Sequence, residues 1–159
     1  MKRSVIVDTV AALLILLFVY AAISKLLDYS TFKNQLEKSP FITLFAGTVA
    51  WSLPAVEIIT ALFLLTKPLR LIGLYLSLFL MSLFTLYIYA MLHYSYYIPC
   101  SCGGILSKMS WTSHLWFNLF FVVISIASIL IDNSETSNKA AISRNLFGLL
   151  PYKRKMQNI

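Results

Sequence analysis

The segment Pro99-Cys100-Ser101-Cys102-Gly103-Gly104 holds both cysteines of the chain. Cysteines at i and i+2 can close a small ring, and geometric strain makes so tight a disulfide easy to reduce. Such a bond encloses almost no chain and would contribute little as a staple. The spacing therefore suits a labile, exchanging disulfide or a pair of thiolate ligands; a passive link in a tight loop is the alternative. Gly103 and Gly104 leave the backbone free to turn and let another chain approach closely. Cys100 and Cys102 alone fall short of the ligand set of a structural zinc.

Two further groups have chemical potential. Glu57 stands inside a long apolar run, and an ionisable side chain at membrane depth is a functional candidate by default. Pro54, one helical turn earlier, can free a backbone carbonyl to face a bundle interior. The competing reading of Glu57 is a protonated or paired acid that only fixes helix packing. Trp111, His114 and Asn118 are spaced three and four apart, which places them on one helical face next to the cysteine segment. His114 can deprotonate a thiol or stabilise a thiolate. With Cys100 and Cys102 it could also ligate a soft metal such as Cu(I). Alternatively, this is an interfacial Trp with polar neighbours bonded between helices. Lys25 and His93 are expected at helix ends, Lys25 snorkelling to the interface. Tyr87, Tyr89, Tyr94, Tyr96 and Tyr97 are read as an anchoring aromatic belt, and Asp8 as the partner of a basic neighbour.

The elements that must position these groups follow from composition. Of 159 residues, 59% are hydrophobic and 12% charged, against about 25% charged in a typical soluble domain. A soluble fold of this size could not hide so much apolar surface; lipid suits it. The expectation is an all-α polytopic membrane protein, a bundle of four transmembrane helices over about 5–27, 45–66, 69–92 and 113–131. Each run is long enough to cross a hydrocarbon core. The runs are continuously apolar rather than alternating, which argues against an outer-membrane barrel. An outer loop, 93–112, carries the Cys-x-Cys. The transmembrane domain takes 1–132, and a polar then basic tail takes 133–159.

Basic residues set the orientation. With both termini cytoplasmic, Lys2, Arg3, Lys67, Arg70, Lys139, Arg144, Lys153, Arg154 and Lys155 lie inside, and Lys25, Lys33, Lys38 and Lys108 lie outside. That bias obeys the positive-inside rule, so the net charge of +7 reads as topology and not as nucleic-acid binding. Met1-Lys2-Arg3 before an apolar run resembles a signal peptide. The run is too long for a signal h-region, however, and Asp8 interrupts its start, so a retained helix is expected. The segment Asp28–Ile42 places Phe32, Leu36 and Ile42 near one helical face, a short amphipathic helix at the interface. Pro68 fits the first turn of the third span. The tail rests its basic end on anionic headgroups or remains solvated.

Taken together, several motifs resemble a known family. Tyr20-Ala-Ala-Ile-Ser24-Lys25-Leu-Leu-Asp28 with Phe32 and Leu36, then Pro54-x-x-Glu57, then Pro99-Cys-Ser-Cys-Gly-Gly104 with Trp111, His114, Phe117 and Asn118, are similar to the DoxX-like membrane proteins, in particular the MauE branch. The resemblance covers roughly 5–130. It implies a four-helix bundle in the bacterial cytoplasmic membrane, associated with disulfide handling for an exported dehydrogenase subunit beside a thioredoxin-like partner. Carried across, Cys100 and Cys102 are the thiol pair, Glu57 the buried acid, and His114 with Asn118 the polar face under the loop. One departure matters. Quinone-coupled disulfide generators of the vitamin-K-epoxide-reductase or DsbB sort use Cys-x-x-Cys plus a shuttle pair, and this chain has neither. Electrons must be exchanged with a partner or a bound cofactor, with a quinone left open. No nucleotide-binding loop is present.

Three functions therefore stand at the level of sequence: a thiol–disulfide component on the extracytoplasmic face, a non-catalytic membrane subunit or assembly factor, and a metal or small-ligand site at the outer end of the bundle. The partners expected are the bilayer and another protein, thioredoxin-like or a membrane-complex subunit, and no nucleic acid.

Overall fold

A computed structural model describes the backbone of residues 2–94 and 110–156 and the side chains of residues 5–94 and 110–133. The chain is all-helical over this range: α1 (Lys2–Leu27), α2 (Tyr29–Glu37), α3 (Ala46–Leu65), α4 (Arg70–Tyr94) and α5 (Trp111–Met156), with 3-10 turns at Thr43–Phe45 and Lys67–Leu69. Four stretches are long and apolar enough to cross a membrane: Val5–Leu27, Thr43–Leu65, Lys67–Tyr94 and Trp111–Asn133. They match the expected spans to within a few residues.

The helices form a ring in the order α1, α3, α4, α5, each packed on the next and α5 returning to α1. Each turns a narrow stripe inward. On α1 the stripe is Val7, Ala11, Leu14, Phe18 and Ala22, at the three- and four-residue spacing of one helical face. On α5 it is His114, Asn118, Phe121, Ser125 and Ser128. The outward residues are large and apolar, with Leu16 71%, Phe79 61%, Trp116 67% and Leu130 66% exposed. A water-soluble monomer rarely presents so continuous an apolar exterior. Lipid covers it here, and association inside lipid rests on close packing and interhelical polar bonds.

The two ends of the bundle differ. Near the α3–α4 turn the helices nearly touch: a Cβ on Gly73 would stand 2.8 Å from the backbone nitrogen of Leu64. There Arg70 donates from its guanidinium to Asp8, tying α4 to α1 as expected for Asp8. The turn places Pro68 at the start of the Lys67–Leu69 turn, where its missing N–H has no helical partner to lose. At the other end α1 stops at Leu27 and α2 folds over the bundle. Leu36 is buried against Ala46 and Ala50, with Phe32, Ile42 and Val49 around it. Lys33 and Glu37 pair on the outer side at 3.6 Å, so the amphipathic reading of this segment holds.

Several hydroxyls inside the bundle bond back to their own helix, while those of Ser125 and Ser128 are buried with no partner among the described residues. Thr60 donates to the Val56 carbonyl, Ser77 to Gly73 and Thr85 to Met81, at 2.8, 2.7 and 2.7 Å. This internal satisfaction is what hydrocarbon demands of polar groups. Beyond Asp132 the backbone of α5 continues as helix to Met156. No Gly or Pro stands between Trp111 and Phe147 to end it, so the shift to polar composition changes the surroundings of the helix and not its conformation.

Gly73→Ala is expected to destabilise the bundle by about 1–3 kcal/mol, the usual cost of overpacking. Gly47→Ala is the control, because a Cβ there meets nothing within 4 Å. Thermal unfolding of the purified protein in detergent decides it, and equal midpoints for both variants would mean that α3 and α4 lie further apart than described.

Candidate functional site

A cavity lies at the α2 end of the bundle. There the inward stripe of α1 continues one turn further than apolar residues carry it, and the next position is Lys25. Its side chain is 7% exposed and does not snorkel. It reaches across to α3, where the ammonium donates to Glu57 Oε1 at 2.7 Å. A second bond goes to the Ala21 carbonyl at 3.3 Å. The rings of Phe32 and Phe84 flank the ammonium, their centroids 5.9 and 5.8 Å away, close enough for cation–π attraction. This corrects the expectation that Lys25 anchors at the interface: a buried acid of opposite sign holds it inside.

Glu57 is fully buried, the twelfth residue of α3 counted from Ala46. At about 1.5 Å rise per residue it stands roughly 16 Å along the helix. Pro54 withholds an N–H from the Ala50 carbonyl one turn earlier. Of the two carboxylate oxygens, Oε1 takes the Lys25 bond, while Oε2 is buried and has no hydrogen-bond partner among the described residues.

These groups line a cavity of about 310 Å³, walled mainly by apolar and aromatic side chains that include Phe18, Phe32, Phe84 and Phe117. Trp111, His114 and Asn118 line it as well, with His114 8% and Asn118 4% exposed. The common face expected of these three from spacing is therefore real and turned inward. The helix start that sets their phase is capped: the Ser113 N–H donates to Ser110 Oγ at 3.2 Å, and the two hydroxyls lie 2.7 Å apart. This satisfies an N–H that the first turn leaves without a helical partner.

Of the residues singled out by sequence, the structure brings together Glu57, Lys25, Trp111, His114 and Asn118. Cys100 and Cys102 lie outside the described residues. Their described flanks do bear on the site, because the last turns of α4 contribute Tyr87 and Ile88 to the cavity and the first turn of α5 contributes Trp111 and His114. Among the described residues no group of three or more His, Cys, Asp or Glu side chains could hold a metal ion.

Two participants were not legible from spacing. Ser39 is fully buried, accepts from the Tyr87 hydroxyl at 3.1 Å and contacts Met91 Sδ at 3.9 Å. It pins the α2–α3 connection to α4. Tyr87 is thereby turned inward and lines the cavity, unlike Tyr89, which is 46% exposed and stacks on His93. The anchoring role expected of the whole tyrosine set does not extend to Tyr87.

Fold and site together define a multi-pass, four-helix membrane protein that holds an ion pair against an apolar cavity near one end of its bundle. The chain belongs to the MauE family: the family model described as "Methylamine utilisation protein MauE" matches residues 3–131, from before the first span into the last turn of the fourth. No curated protein and no solved structure matches the chain.

Removing one member of the pair leaves the other buried and uncompensated, a loss of about 3–5 kcal/mol. Lys25→Met and Glu57→Leu should each reduce the amount of folded protein recovered from membranes and lower its unfolding midpoint. The double variant should regain most of that loss, because replacing a whole buried pair by apolar residues is often neutral. Additive losses in the double variant would mean that the two side chains do not act on each other.

Proposed function

We propose that this protein is a thiol–disulfide exchange component of the bacterial cytoplasmic membrane, acting on the extracytoplasmic face with a thioredoxin-like partner. The observation that carries this reading is positional. The two described flanks of the Cys100–Cys102 segment, the end of α4 and the start of α5, both border the cavity that contains Lys25, Glu57 and His114. Family membership and the strained spacing of the cysteines support it. The positive-inside distribution supports the orientation.

In the exchange, the thiolate of one cysteine attacks a sulfur of the partner's disulfide. A mixed disulfide forms and the partner's second sulfur leaves as a thiolate. The other cysteine then attacks the mixed bond, so that the Cys100–Cys102 disulfide forms and the partner departs as a dithiol. The reverse sequence returns the electrons, and two thiols and one disulfide are conserved throughout. His114 takes up or returns the proton and stabilises the thiolate. Glu57 and Lys25 hold the polar lining in place beneath it.

The test is the redox state of the pair in intact cells, trapped with acid and labelled with a heavy maleimide that cannot cross the membrane. A mixture of forms that shifts with added reductant is the expected result. Cys100→Ser and Cys102→Ser should each abolish turnover while leaving the bundle folded, and one of the two should accumulate a mixed disulfide with the partner. A pair locked in one form, or full function in both single variants, would instead assign the chain the role of a non-catalytic subunit.

A further inference from the structure

We infer that the cavity at the α2 end binds the head group of a membrane-dissolved quinone. Size comes first. An apolar protein cavity of about 150 Å³ accommodates benzene; the cavity here is about 310 Å³, enough for a substituted six-membered ring and the start of its tail. Shape and lining agree, since Phe32, Phe84, Phe117 and Trp111 present aromatic surface to such a ring.

Charge narrows the class. The formally charged residues lining the space are Lys25 and Glu57, and they neutralise each other at 2.7 Å. A charged ligand would bring an uncompensated charge to membrane depth, which is costly. The occupant is therefore uncharged. It is also polar at one edge, because Glu57 Oε2 is a buried acceptor without a partner among the described residues, and a buried acceptor left so is costly. A hydrocarbon chain would fill the volume and leave that oxygen unsatisfied. A quinol hydroxyl donates to it. In the oxidised form the ring oxygens accept from the ammonium of Lys25, from the Asn118 amide or from a protonated His114 nitrogen. Quinone and quinol thus each find complementary groups on the same residues.

The consequence for turnover rests on the thiol–disulfide reading above. The Cys100–Cys102 dithiol loses two electrons and two protons as its S–S bond forms, and the quinone gains both as its two O–H bonds form. This balance supplies the acceptor that a chain with a single cysteine pair otherwise lacks.

Trp111 supplies the probe, since quinones quench indole fluorescence. The chain has three Trp residues; Trp51 and Trp116 are 66% and 67% exposed to the lipid side and lie outside the cavity. In a Trp51→Phe, Trp116→Phe protein held in lipid nanodiscs, a short-tailed dimethoxybenzoquinone should quench Trp111 saturably. Cys100→Ser with Cys102→Ser should leave this binding unchanged. Glu57→Gln should weaken binding of the reduced probe about tenfold, the loss of one hydrogen bond to a charged group. Ala21→Leu, which fills part of the cavity and leaves the ion pair intact, should abolish saturation in a protein that still unfolds cooperatively. Quenching that stays linear and survives Ala21→Leu would overturn the inference, as would equal competition by butylbenzene. Saturable binding with thiols that ignore added quinone would refute the exchange reading and leave the binding site standing. Cycling thiols without saturable binding would do the reverse.

Discussion

An acid carried into the hydrocarbon region has few ways to persist: it takes up a proton, finds water, or finds a cation. In this bundle Glu57 has a cation, and the geometry around it follows from that choice. Lys25 approaches from α1, which ends two residues after it at Leu27, and α2 follows over that end of the bundle. The ammonium must be shielded from lipid, and Phe32 and Phe84 flank it from α2 and α4. Both elements therefore belong to the environment of one ion pair. Coulomb attraction at this separation is strong in a medium of low dielectric, but desolvation of both ions offsets much of it. The pair is better understood as fixing which faces of α1 and α3 meet than as a large net source of stability.

The asymmetry of the bundle follows from side-chain size. Near the α3–α4 turn, Gly73 lets two helix backbones approach closely, and Ala11 and Ala61 are buried in the same core. Small residues are what lipid-embedded helices use to pack tightly. Toward α2 the inward positions become Lys25, Glu57, His114 and Asn118, whose polar ends must meet partners or space and cannot interlock as alkyl groups do. A close helix approach at one end and a cavity at the other are two results of the same ring of helices with different residues on its inner stripe.

How much of this was legible in the sequence depended on whether a local rule or a distant partner decided the matter. The spans, the turn at Pro68, the amphipathic segment around Phe32 and Leu36, and the pairing of Asp8 follow from hydropathy, periodicity and proximity to helix ends. Lys25 did not yield to such rules, because a lysine at the end of a membrane helix ordinarily snorkels. What overrode that preference was Glu57 on another helix. The phase of Lys25 with Val7, Ala11, Leu14, Phe18 and Ala22 is the sequence signal that pointed inward. Ser39 carries no periodic signal at all; its burial arises from the turn that folds α2 back onto α3 and from Tyr87 opposite. The backbone of α5 stays helical past Asp132, because a change to polar composition does not by itself end a helix.

Placing the polar groups near one end of the bundle also resolves a conflict inherent in the composition. A site that exchanges protons or hydrogen bonds needs ionisable side chains, yet a membrane helix tolerates few of them. Opposite charges on neighbouring helices cancel, so the cavity has donors and an acceptor without net charge, and no water-filled passage through the bundle is needed to stabilise it. The cancellation holds only while α1 and α3 keep their relative rotation. That rotation is held at a distance from the cavity by the inward stripe of α1, and the Asp8–Arg70 link at the opposite end fixes α1 against α4. The chemistry available near α2 therefore depends on packing throughout the length of α1, including residues that line no part of the cavity.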